Sequence, residues 1–125
     1  MNKSGMVLDK QVMTFGRLAL KAGLEKGADD PVTIQVTGLS DYTDLVIILS
    51  ARSDRQVKAI AEAIRSEFSK IKIKPIGVEG MAAGLWVLLD FGPLVVHVFH
   101  EPERRFYNLE DLWLDAPRLD LSQAE

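Results

Sequence analysis

The chain contains no cysteine. That absence removes disulfide staples, thiolate zinc ligands and thiol nucleophiles together, and it suits a reducing, intracellular compartment. Histidine is scarce as well, with only His97 and His100 present. Residues three apart on a strand point to opposite faces, so these two do not share a metal without a bend, and no metal site is expected. A basic excess is also missing: 18 acidic residues outnumber 15 basic ones, for a formal net charge of -3. Proteins that grip nucleic acid through its phosphates show the reverse balance, so little direct nucleic-acid binding is expected. No apolar run approaches the ~20 residues that span a bilayer, and no membrane partner is expected. The opening residues carry one early lysine, and the apolar residues that follow are broken by Asp9-Lys10-Gln11, which argues against a signal peptide. The expected location is the cytoplasm.

What the chain does have is an ordinary globular composition. Its 125 residues are 47% hydrophobic and 26% charged, enough for one domain with a real core and too few for a second. Leu8, Val12, Phe15, Ala19 and Ala22 recur at helical spacing, which predicts an amphipathic helix from about Asp9 to Lys26, stopped by Gly27. Val32, Ile34 and Val36 alternate with Thr33, Gln35 and Thr37, the pattern of a strand with one wet face near a sheet edge. Leu45 to Leu49 is an unbroken apolar run, as expected of a strand buried on both faces. Ser53-Asp54-Arg55-Gln56 has the form of a capping box, and the stripe Val57, Ile60, Ala61, Ile64, Phe68 predicts a second helix.

Ile73 to Val78 is extended around Pro75, which suggests a strand–helix–strand crossover. Leu85 to Leu89 and Leu94 to Phe99 read as an antiparallel hairpin around Asp90-Phe91-Gly92-Pro93. Short helical turns are expected at Glu101–Tyr107 and Leu109–Trp113, with a flexible tail over residues 115–125. The prediction is a single α/β domain over residues 1–114: a mixed five-stranded sheet flanked by helices.

Candidate chemistry is sparse. In simple antiparallel register the hairpin places Trp86, Leu88 and Asp90 on one face with Val95, His97 and Phe99. Asp90 and His97 then form either an acid–base pair or a turn-closing carboxylate beside a hydrogen-bonded strand histidine, and nothing else resembles a nucleophile or an oxyanion site. Ser50-Ala51-Arg52-Ser53 precedes a helix start, yet it lacks the glycine and lysine of a phosphate loop. Glu79, between Gly77 and Gly80, is either a lone functional acid or a solvated one beside two permissive glycines. Trp86 is a core residue or, if one sheet face stays open, an anchor for a protein partner. Tyr107 and Trp113 are expected to pin the C-terminal segment to the sheet. These residues favour binding over catalysis, and no cofactor is implied.

Several runs together carry a resemblance. They are Ser53-Asp54-Arg55-Gln56-Val57-Lys58-Ala59-Ile60-Ala61, Gly77-Val78-Glu79-Gly80, Trp86-Val87-Leu88-Leu89-Asp90-Phe91-Gly92, Val95-Val96-His97-Val98-Phe99, and Arg104-Arg105-Phe106-Tyr107-Asn108-Leu109-Glu110-Asp111-Leu112-Trp113. In this order and spacing the chain resembles the ribosome silencing factor, or Iojap-like, family from about Leu8 to Trp113. The resemblance implies a fold related to nucleotidyltransferases without their activity. It also implies binding to the large ribosomal subunit, through a basic ribosomal protein at the subunit interface, so that subunit joining is blocked. The chain departs from the family where Ser50-Ala51-Arg52-Ser53 replaces a usual Thr-Gly-Thr-Ser and Gln56 replaces a frequent histidine. The partner surface is expected on Glu79, Trp86, Asp90, His97 and Phe99. Two rival readings are a magnesium-dependent nucleotidyltransferase using Asp44, Asp54 or Asp90, and an assembly adaptor. The adaptor reading uses a homodimer of the free protein across an open sheet edge.

Overall fold

The computed structural model describes residues 8–121. Helix α1 spans Lys10–Glu25 and begins where the Asp9 carboxylate accepts from the Gln11 amide. Strand β1 covers Asp29–Gln35, with an irregularity at Asp30-Pro31 where Asp30 takes a left-handed conformation. Strand β2 is Leu45–Ala51, and every one of its residues is buried, as its unbroken apolar run requires. Helix α2 is Asp54–Lys70, capped by the Ser53 hydroxyl, which accepts from the Gln56 amide. The Gln56 side chain reaches one residue beyond the usual capping-box partner. Its Oε1 accepts from the Arg52 amide at 2.7 Å, while its Nε2 donates to the Lys26 and Gly27 carbonyls, tying the end of α1 to the start of α2.

The remaining elements are β3 (Gly77–Glu79), β4 (Trp86–Asp90), β5 (Leu94–His100), α3 (Glu101–Tyr107), a 3-10 turn at Leu109–Trp113, and β6 (Arg118–Leu119). They form one mixed sheet of six strands in the order β3-β4-β5-β2-β1-β6. Two expectations need correction. The sheet has six strands where five were expected, because Arg118–Leu119 pairs with β1. The segment from Asp115 is therefore no loose tail as far as Leu121, since Ala116 and Leu121 are buried; residues 122–125 lie outside the described range. Alternation over two residues is too short a signal to read against the charges around it. The crossover also differs in its landing point. β2 and β5 pair in parallel, and β3 runs in the same direction as both, but it lies three positions from β2 with β4 and β5 inserted between them.

Helices α1 and α2 cover one sheet face. Phe68 is fully buried there, stacked 4.1 Å from Phe91 and edge-on to Phe15 at 5.7 Å. The other face is divided. Its β1–β2 half is closed by the C-terminal segment, where Leu109, Trp113 and Ala116 pack over Ile34, Val36, Val46 and Ile48. Among the described residues, its β3–β4–β5 half has no such cover.

Candidate functional site

The half-open face is built by strand register. Glu79 lies opposite Leu88, and Leu88 opposite His97, which pairs in turn with Ile48. Gly77, Asp90, Val95 and Val46 make the next row, and Trp86 lies opposite Phe99. The period-2 pleat therefore brings all five residues singled out from the sequence to one face. Leu88, Val95, Trp86 and Asp90 are half-buried and Glu79 is exposed, so the surface is apolar at its centre with carboxylates beside it.

Burial separates the five by role. Phe99, expected on the binding surface, is fully buried, so of the five it alone offers no exposed surface in the free protein. It is instead the floor on which the Trp86 ring stacks, with centroids 4.7 Å apart. His97 is only 6% exposed and supports Trp86 from the side: the indole Nε1–H donates to His97 Nδ1 at 3.0 Å. Because indole only donates, Nδ1 must accept, which places the proton of the neutral ring on Nε2. Tyr107 of α3 flanks the indole with a ring separation of 4.8 Å while remaining half exposed. Trp86 is thus held by a floor, a polar clamp and a side wall, with one edge toward solvent.

Sequence reasoning missed Tyr107 as part of this cluster and named Leu88 and Val95 only as face neighbours. Strict alternation along β4 and β5 contained the signal for Leu88 and Val95. No local signal indicated that α3 would fold back beside Trp86. Trp113, by contrast, does pack the C-terminal segment onto the sheet as expected.

Acid–base chemistry finds no support in this geometry. Asp90 Oδ1 accepts from the Gly92 amide at 2.8 Å and closes the hairpin turn. Burial pushes His97 down from 6.5 to about 4, so it is neutral near pH 7. The acids of the nucleotidyltransferase reading are also dispersed. Asp44 and Asp54 flank opposite ends of β2, a strand about 23 Å long by its rise per residue, and Asp90 is two strand spacings, roughly 10 Å, from β2. Among the described residues, no three carboxylate or histidine groups converge on a common point.

The depressed His97 value has a consequence for stability. The unfolded chain takes up the proton near 6.5 and the folded protein only near 4. Stability is therefore full above pH 6.5 and falls as pH drops toward 4, by up to about 3 kcal/mol. Urea titrations across this range should show that decline in the wild type. In His97→Gln, whose amide oxygen can still accept from Trp86, the slope should largely vanish; an unchanged slope would assign the pH dependence elsewhere.

Comparison with known proteins agrees with this architecture. A family model described as ribosomal silencing factor during starvation matches residues 11–125. The ribosomal silencing factor RsfS of Bacillus subtilis is 42% identical over 105 residues, covering 84% of this chain and 89% of that one. A crystal structure of a Chromobacterium violaceum protein superimposes with a TM-score of 0.78 at 30% identity, covering 85% of this chain and 87% of the other. One from Bacillus halodurans gives 0.77 at 35% identity, with 90% and 99% coverage. A half-covered six-stranded sheet, a clamped tryptophan on its open half and a family match across nearly the whole chain lead to one assignment: the protein belongs to the ribosomal silencing factor family.

Proposed function

We propose that this protein binds the large ribosomal subunit through its half-open sheet face and so keeps the small subunit from joining. The observation that carries the reading is the mounting of Trp86, a large amphipathic ring already fixed by Phe99, His97 and Tyr107. A side chain immobilised before docking loses little entropy when it docks, which is the property of an interface hot spot. Leu88 and Val95 extend the apolar centre, and Glu79 and Asp90 supply negative charge beside it. That combination suits a basic ribosomal protein at the subunit interface, because complementary charge speeds encounter and fixes register. Exclusion of the other subunit needs only an occupied surface, so the protein works without catalysis and in the cytoplasm, where subunits join.

Sedimentation of the purified protein with separated large and small subunits tests the proposal. The protein should co-migrate with the large subunit and reduce the yield of joined ribosomes. Co-migration with undiminished joining would instead favour an assembly adaptor, and protein left at the top of the gradient would overturn ribosome binding altogether.

A further inference from the structure

The overall charge of -3 conceals a strong internal division. Between Arg52 and Lys74, the stretch that holds α2 and the turn after it, seven cations face three acids. From Pro75 to Leu121, which builds the half-open face and its cover, eight acids face three cations. Net charge averages two stretches of opposite sign, one carrying α2 on the helical side of the sheet and the other carrying the half-open face.

The basic side also contains a shaped feature. A groove of about 510 Å³ runs between α2 and the segment leading into β3. Arg65 and Lys74 stand on its walls with Ser66, Ser69 and one acid, Glu62, so that cations outnumber acids two to one, while Ile73 and Ile76 give it apolar flanks. Its second wall is fixed by the end of α2: the Ile73 amide returns to the Phe68 carbonyl at 2.9 Å, and Ile73 packs against the core. Between them Lys72 occupies a left-handed conformation (φ 63°), a place where glycine or asparagine is usual. Lys58, Lys72 and Lys74 form no ion pair with the described residues, and the Arg65–Glu62 contact is long and exposed at 3.3 Å. The groove and Glu79 share strand β3 but lie on opposite faces, because Val78 packs toward the helices and Glu79 is its alternating neighbour.

We propose that this groove binds the phosphodiester backbone of ribosomal RNA while the opposite face docks on protein. Ammonium groups with no ion partner among the described residues, and a guanidinium held only by an exposed contact to Glu62, stand beside hydroxyl donors and match phosphate oxygens, while the apolar flanks suit a ribose or base edge. The inference rests on the docking proposed above only for the source of the RNA. A protein with this division bridges protein and RNA, and its affinity for the subunit falls as salt rises.

The test uses fluorescence anisotropy of end-labelled, fragmented large-subunit RNA with the full chain. The wild type should bind, and Arg65→Gln/Lys72→Gln/Lys74→Gln should bind at least tenfold more weakly, with a salt slope shallower by about 2. Lys72 and Lys74 are exposed and Arg65 half-buried outside the core, so glutamine at these positions leaves the core intact. Trp86→Ala should bind the RNA as the wild type does, so loss of subunit docking and loss of RNA binding are separable. Absence of wild-type binding, or equal binding and equal salt slope in the triple variant, overturns the proposal.

Discussion

Trp86→Ala is expected to weaken association with the large subunit by about 2–3 kcal/mol, roughly 30- to 150-fold in Kd. The size of the effect follows from its mounting. The indole stacks on Phe99 and against Tyr107, and its N–H is engaged by His97 at 3.0 Å. Truncation removes the anchor, exposes the Phe99 floor and leaves the buried His97 Nδ1 without its donor. Part of the loss would then come from reorganisation of the free protein, and Trp86→Phe separates the two contributions. Phenylalanine keeps the stack and forfeits the hydrogen bond, so its binding should fall between those of the wild type and Trp86→Ala. Sedimentation titrations, alongside thermal melts confirming that each variant is folded, measure this. Binding of Trp86→Ala within threefold of the wild type would remove Trp86 from the interface.

The second large effect concerns the cover over the other half of the face. Arg104 donates to both sides of a junction: to Glu110 Oε2 at 3.1 and 2.8 Å, to the Asp30 carbonyl at 2.6 Å and to Ser50 Oγ at 2.8 Å. Its side chain is 11% exposed and that of Glu110 16%, so this is a largely desolvated pair. Burial alone would raise the Glu110 carboxyl; the Arg104 hydrogen bond and charge, with the backbone contact and Arg118, outweigh it and hold it below the ordinary value. The two partners are not equivalent on removal. Arg104→Ala leaves a carboxylate that can take up a proton. Glu110→Ala leaves a guanidinium that cannot lose one, buried with only neutral acceptors.

Glu110→Ala is therefore expected to cost about 3–5 kcal/mol in urea unfolding, with Arg104→Ala the milder change, increasingly so at low pH. Replacing both together, as Arg104→Met/Glu110→Leu, should recover most of the loss because no unpaired charge remains. The lowered Glu110 value adds stability present above its ordinary range and lost as pH falls through its folded value. Acid thus weakens the protein first through His97 and then through this pair. Equal stability of Glu110→Ala and the wild type would show the pair to be energetically idle.

Much of this was legible in the residues. Both helices appear within a residue or two of their expected ends, since caps and periodicity are local signals. The β4–β5 pairing followed from the short connection at residues 90–93, and simple antiparallel register with side-chain alternation sets the shared face of Trp86, Asp90 and His97. What was not legible depends on distant packing. Phe99 and His97 alternate as correctly as any surface pair, and only the fold-back of α3 and the C-terminal segment decides that Phe99 lies beneath Trp86. The landing point of β3 was equally hidden, because a crossover reads the same whether its strand lands beside β2 or beyond two others still to come. Net charge is blunt in its own way, since a sum over residues discards how the charges are distributed along the chain.

The order of elements along the chain has a consequence for biosynthesis. The residues that roof Ile34, Val36, Val46 and Ile48 come last, from Leu109 to Ala116, and the edge strand that follows them, β6, is later still. While the polypeptide is being made, the five preceding strands emerge with that apolar surface bare and β1 an unprotected edge, vulnerable to aggregation and to premature contact with the ribosome producing it. Arg104, Glu110 and Tyr107 also arrive late, so the Trp86 mount is complete only when translation is nearly over. Chain order thus leaves the Trp86 mount unfinished until synthesis is almost complete, and a message truncated before Leu109 would yield a sticky fragment in place of a folded domain.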